Sequence, residues 1–168
     1  MMIQGYARPA RRGAFGLVLA LALVAGCQKS SPVGQAAVNA DRLVNAEAEP
    51  GSWMSHGRTY SEQRFSPLDS INTGNISRLG LAWYADLDTN RGQEATPLMV
   101  DGALYVSTAW SRVKAYDAKT GKLLWQYDQQ VPGGTAVNAC CDVVNRGVAV
   151  WDGKVLVGTI DGRLIALD

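Results

Sequence analysis

Laid over one another without gaps, residues 101–117 and 152–168 pair Asp-Gly with Asp-Gly, Val106 with Val157, Thr108 with Thr159, Arg112 with Arg163, Ala115 with Ala166 and Asp117 with Asp168. A period of roughly fifty residues marks a repeat architecture, in which each unit cannot bury its apolar face alone and must stack on a neighbour. From Leu81 onward, short apolar runs rich in Val, Leu, Tyr and Trp recur about every ten residues between turn signals, which predicts strands. These runs are LAWYADL, TPLMV, ALYVST, RVKAYD, LLWQY, GVAVW, KVLVGT and RLIALD. Asp101-Gly102, Asp152-Gly153 and Asp161-Gly162 supply the dipeptide that tight hairpins prefer, because glycine tolerates positive φ. No window sustains a helical period; only the polar stretch 68–79 offers a helical turn, with Ser70 or Asn75 as its cap. The body is therefore expected to be all-β, and a unit of four short strands fits a β-propeller blade better than a sandwich.

The N-terminus sets the expected compartment. Arg8, Arg11 and Arg12 precede an apolar run over 14–25, too short to span a bilayer and placed like a secretory signal peptide, 1–26. Its end, LVAGC, resembles the lipobox of bacterial lipoproteins, which implies cleavage before Cys27 and lipidation of that residue; an ordinary signal peptide cleaved nearby is the alternative. Losing 1–26 removes three arginines and no acid, so the formal net charge falls from +1 to −2, which gives nucleic acid no purchase. Residues 27–52, poor in regular apolar spacing, read as a tether, with folded structure expected from Trp53. The expected location is the periplasm, lipid-anchored to a membrane.

With Cys27 as an anchor, the other two cysteines, Cys140 and Cys141, are adjacent. Neighbouring Cα atoms lie about 3.8 Å apart across a trans peptide, whereas ordinary disulfides want roughly 4.4–6.8 Å, so a bond between them closes a small strained ring. Two unrelated buried thiols are the plainer reading, although successive side chains on a strand point to opposite faces. His56 is the only histidine, which leaves little material for a zinc cluster or a histidine-based triad.

The phrase AYDAKTGKLLW, ending at Trp125, resembles the tryptophan motif of quinoprotein dehydrogenase propellers. In it Asp117 and Thr120 can cap a turn, Gly121 can take a strained backbone angle and Trp125 can wedge between blades. The strings GRTYSEQRFSPLDSINTGNISRLGLAW, NRGQEATPL, ACCDVVNRGVAVW and VLVGTIDGRLIALD together resemble the N-terminal part of the methanol and ethanol dehydrogenases that use pyrroloquinoline quinone (PQQ). The resemblance implies a propeller of about eight blades, of which residues 53–168 hold only the first blades, about two. A ring needs the remaining blades, and alone these would expose unpaired edges and dissolve poorly.

The resemblance also implies roles. Cys140 and Cys141 form a vicinal disulfide that lies flat against the quinone, Arg146 pairs with a cofactor carboxylate, and Glu94 touches the cofactor's polar edge or orients Arg146. Asp142 and Asn145 are assigned to turn chemistry, and Thr159 and Asp161 to architecture. In the family, calcium polarises the quinone, an aspartate deprotonates the alcohol and a cytochrome c takes the electrons. The calcium ligands and that base are expected outside residues 1–168, so no catalytic residue is assigned here. The implied function is the N-terminal portion of a periplasmic PQQ- and calcium-dependent dehydrogenase of primary alcohols. The alternative is a non-enzymatic propeller lipoprotein scaffold of the outer-membrane assembly type, which would share the lipobox and tryptophan motif without needing CCDVVNRG.

Overall fold

The computed structural model describes residues 33–168. The signal peptide 1–26 and Cys27 lie outside the described residues. Two antiparallel sheets carry the fold. The first is a four-stranded meander of β1 (Leu98–Val100), β2 (Ala103–Ser107), β3 (Val113–Asp117) and β4 (Leu123–Tyr127), in that spatial order. Between them in chain order comes a short strand β5 (Cys140–Val143), which belongs to neither sheet. The second sheet holds β6 (Ala149–Trp151), β7 (Lys154–Gly158) and β8 (Leu164–Leu167). A four-stranded meander followed by three strands of a second is the blade pattern that the repeat requires.

The turn chemistry follows the sequence closely. Asp101 and Gly102 have φ of 48° and 76°, and Asp152 and Gly153 have 47° and 78°. Both pairs thus close two-residue hairpins with positive φ at both central positions, which matches the right-handed twist of the flanking strands. Asp117 Oδ1 accepts from the backbone N–H of Lys119 and Thr120 and from the Thr120 hydroxyl. These bonds hold its carboxyl below the usual range, the Thr120 hydroxyl contributing most. Gly121 sits at φ 73°, where a Cβ would lie 2.6 Å from the Trp83 ring, so the turn needs a glycine for two separate reasons.

Across the first sheet Tyr105, Ala115 and Trp125 are cross-strand neighbours, with the Tyr105 and Trp125 rings 6.0 Å apart and tilted by 44°. The core joins both sheets: Leu98, Val100 and Val113 from the first meet Val150, Val155 and Val157 from the second.

Three expectations need correction. Residues 33–52 are not a free tether. Ala36, Val38 and Ala46 are buried in the core, and the strap carries a short helix α1 (Ala40–Val44), its N-cap Asn39 accepting from the Arg42 N–H. Gly34 N–H donates to Asp101 O, while Ala36 O and Val38 O accept from Gly153 and Asp152. The strap therefore binds the equivalent hairpin turn of both repeats. Its three small buried residues follow no regular period, which is why pattern reading missed them, and folded structure begins before Trp53.

LAWYADL is not a strand. Leu81 and Tyr84 are exposed, and the run is held by Trp83, which donates through Nε1 to Ala118 O at 3.0 Å and stacks on Tyr116, and by Asp86 O, which accepts from Lys114 Nζ at 3.4 Å. Apolar composition makes a strand only where a partner ladder exists, and none faces this run among the described residues. Finally, Asp161-Gly162 does not close a two-residue hairpin: Gly158 pairs with Leu164, and in the turn between them only Gly162 is left-handed, φ 86°. The turn closes by Thr159 N–H to Arg163 O and Gly162 N–H to Thr159 O. The helical turn expected over 68–79 is present as a single 3₁₀ turn, Ile76–Arg78.

Candidate cofactor-binding site

Two segments far apart in sequence run side by side. The first is 91–96, on the approach to β1; the second is 142–147, leaving β5. Arg91 grips Asp142 with a two-pronged ion pair, Nε to Oδ2 at 2.8 Å and Nη2 to Oδ1. Gly92 lies where a Cβ would come within 3.1 Å of the Val144 side chain, a close approach between the two segments. Glu94 Oε2 meets Arg146 Nε at 3.1 Å. Thr96 N–H donates to Arg146 O, and Thr96 pairs with Gly147 as an isolated parallel bridge. Gln93 Nε2 donates to Ser107 O at 2.6 Å, which fastens the first segment to β2. Asn145 completes the turn, accepting from Gly147 N–H and donating to Gly158 O.

The structure thus brings Glu94 and Arg146 together and sets the cysteine pair at the head of the same lacing. Cys140 and Cys141 are exposed, while Val143 at the other end of β5 is fully buried and anchors the strand. The two sulfurs are 2.6 Å apart and the thiols are free, so the expected disulfide is not formed in this structure. The hydrogen bond with Cys141, then its charge, pushes the Cys140 thiol up, while the Arg146 charge pulls more weakly the other way.

Asp142 departs in part from its assignment to turn chemistry. Its φ of 63° is left-handed, as a turn residue's is, but its carboxylate is spent on Arg91, which holds it below the usual carboxylate range. Arg91 was not singled out by sequence reasoning. The available signal was the opposite charge order in RGQE and DVVNR, which has meaning only once the segments are known to be neighbours. Asn145, Thr159 and Asp161 are architectural: Thr159 hydroxyl bonds to the Asp161 carboxylate and to Arg163 O within the β7–β8 turn. Arg146 also lines a cleft of about 340 Å³ together with His56, Thr96 and Asn145. His56 Nε2 is 2.9 Å from Arg64 Nη1, so the ring nitrogen accepts there.

No group of three or more His, Cys, Asp or Glu side chains placed to hold a metal ion occurs among the described residues. Nor is any helix among them long and apolar enough to cross a membrane.

A propeller blade pattern with this laced pair of strings defines a recognisable class. The family model described as "PQQ: Glucose/ethanol/alcohol dehydrogenase, beta-propeller domain" matches residues 53–168, and the chain belongs to that family. Over 149 residues it is 59% identical to the dehydrogenase subunit of an alcohol dehydrogenase (quinone) from Komagataeibacter europaeus, covering 88% of this chain and 20% of that protein. It is 54% identical over 121 residues to the 1-butanol dehydrogenase (cytochrome c) of Thauera butanivorans, covering 72% of this chain and 18% of that one. The solved quinohemoprotein alcohol dehydrogenase ADHIIG of Pseudomonas putida HK5 superposes with a TM-score of 0.78 at 55% identity, over 80% of this chain and 20% of that one. The chain spans about a fifth of the length of these relatives. The scaffold alternative finds no support in these matches.

Proposed function

We propose that this chain is the N-terminal portion of a periplasmic PQQ- and calcium-dependent dehydrogenase that oxidises primary alcohols to aldehydes. On this reading Cys140, Cys141, Arg146 and Glu94 form one wall of the PQQ site. The observation that carries it is the convergence of 91–96 with 142–147, which unites the residues assigned by resemblance although about fifty positions separate them.

The residues fit such a cofactor. PQQ is planar and carries three carboxylates. Arg146 is 71% exposed and meets Glu94 through Nε, which leaves its two terminal nitrogens as a planar donor pair for a carboxylate. The exposed sulfurs of Cys140 and Cys141 offer a polarisable surface for a flat ring. When bound, PQQ supplies the acceptor for the hydride that an alcohol loses, along with a proton, on becoming an aldehyde. Glu94 orients Arg146, and Arg146 holds the acid edge. In an oxidising periplasm the two thiols give up two electrons and two protons to a thiol–disulfide oxidant and close the vicinal ring. No residue of this chain is assigned to calcium, to the general base or to the cytochrome c contact.

The full-length protein should oxidise a primary alcohol with an artificial electron acceptor only when PQQ and calcium are supplied. Replacing Cys140 and Cys141 by Ala is expected to lower that rate at least tenfold, on the order of what misplacement of a bound reactant costs. A rate indifferent to PQQ sinks the reading. Lipidation of Cys27, which would place the enzyme on a membrane facing the periplasm, is checked by mass analysis of the membrane fraction: a diacylglyceryl group on an N-terminal Cys27 is expected, and an unmodified start elsewhere refutes it.

A further inference from the structure

We propose that Arg91 and Asp142 are a positioning pair that sets the spacing between the cysteine face and the Arg146–Glu94 pair; the inference rests on the PQQ reading above. Three observations converge on these two residues. The contact is bidentate and joins positions 51 apart, so it is a tertiary clamp and not a local turn bond. Asp142 directly follows Cys141 and takes a left-handed φ of 63° at the step between the exposed cysteines and the buried Val143. Arg91 lies three residues before Glu94, so the clamp reaches both halves of the site.

Charge order gives the clamp a second effect. In the parallel lacing, Arg91 faces Asp142 and Glu94 faces Arg146. Reversing one segment would set arginine against arginine and carboxylate against carboxylate, so the two pairs together select direction as well as proximity. Glu94–Arg146 alone cannot do this, because both partners are needed at the cofactor edge and Arg146 is largely exposed. The clamp at the opposite end therefore fixes the strings while leaving the Arg146 terminal nitrogens free. Neither clamp residue is assigned a contact with the cofactor; both act through Cys141 and Glu94.

The test uses the full-length protein prepared without PQQ and titrated with PQQ, with binding followed by quenching of tryptophan fluorescence. Arg91→Ala and Asp142→Asn are each expected to weaken binding about tenfold, the lower end of what orienting partners cost at bound sites. Asp142→Asn keeps the side-chain shape and the tolerance of left-handed φ, so it isolates the charge. The double variant should bind no more weakly than either single one, because the pair acts as a unit. Should the alanine variant fail to fold, Arg91→Lys, which keeps the charge and loses the fork, is expected to weaken binding a few-fold. Single variants that bind PQQ as the wild type does, or single effects that add in the double variant, overturn the positioning role alone. A wild-type protein that does not bind PQQ overturns the cofactor reading and this inference with it.

Discussion

The two copies of the repeat share their turns but not their burial. Both open on an Asp-Gly hairpin with nearly the same φ values, and both carry a second turn closed by an N–H to C=O bond, 2.8 Å from Thr108 to Arg112 and 2.9 Å from Thr159 to Arg163. Yet β3 is buried from Val113 to Tyr116, whereas its counterpart β8 keeps Leu164 exposed. Within the described residues the neighbours differ: β3 lies between β2 and β4, whereas β8 has only β7 beside it. Only the first copy is covered by the 83–88 segment, with Trp83 stacked on Tyr116 and the nearly buried Lys114 ion-paired to Asp88. Hairpin geometry is thus a local property that repeats with the sequence, while burial belongs to whatever packs on each blade.

The largest test of that contrast lies in the core. Tyr105 is fully buried, and its repeat counterpart Leu156 is only half-buried. Tyr105→Ala should destabilise the protein by about 3–5 kcal/mol and Leu156→Ala by about 2 kcal/mol, read as shifts in urea midpoint. Equal costs would show that the two copies are covered alike.

A smaller effect is expected from exchanging turn residues. Ser111 is left-handed at φ 59° and fully buried, in the place that Gly162 fills in the second copy at φ 86°. Gly162→Ser should cost about 1 kcal/mol, because a Cβ is disfavoured there. Ser111→Gly should recover less than that, since the Ser111 hydroxyl accepts from Ile160 N–H at 3.3 Å and so ties the two turns together. A stabilised Gly162→Ser variant would show that the turns are not equivalent.

The smallest effect concerns the strap, which uses the side chain of Asp101 in the first copy but only the backbone at Asp152 and Gly153 in the second. Ala37 N–H and Arg42 both bond to the Asp101 carboxylate, and Arg42 also pairs with Glu49 at 2.6 Å. The Arg42 guanidinium holds the Glu49 carboxyl below its ordinary value of 4.5. A carboxyl lowered by folding contributes stability above its unfolded value, and that contribution is lost as pH falls through the lowered one. Stability measured below about pH 4.5 should therefore decline less steeply in Glu49→Gln than in the wild type; identical slopes would show that the strap does not depend on this pair.

How much of this was legible beforehand varies by element. Seven of the eight expected strands form, because each lies between turn residues whose chemistry is local. LAWYADL fails because a strand needs a partner, and composition does not say whether one is there. The strap was missed because Ala36, Val38 and Ala46 are small and aperiodic, and their burial depends on hairpins more than fifty residues away. At the site, Glu94 and Arg146 were found through the resemblance of their motifs, and the structure places them 3.1 Å apart. Arg91 was invisible, since an exposed arginine in a loop carries no signal until its partner is beside it.

By itself, the sequence determined the repeat, the two positive-φ hairpins, the Asp117–Gly121 turn and the family to which residues 53–168 belong. Those depend on short-range backbone sterics and on side chains that bond a few residues along the chain. The tertiary structure alone decided that residues 33–52 fold onto the blades, that the 83–88 segment packs on the first copy, and that 91–96 runs parallel to 142–147. Burial and ion pairing across such separations depend on which surfaces meet, and that is settled only when the whole chain packs.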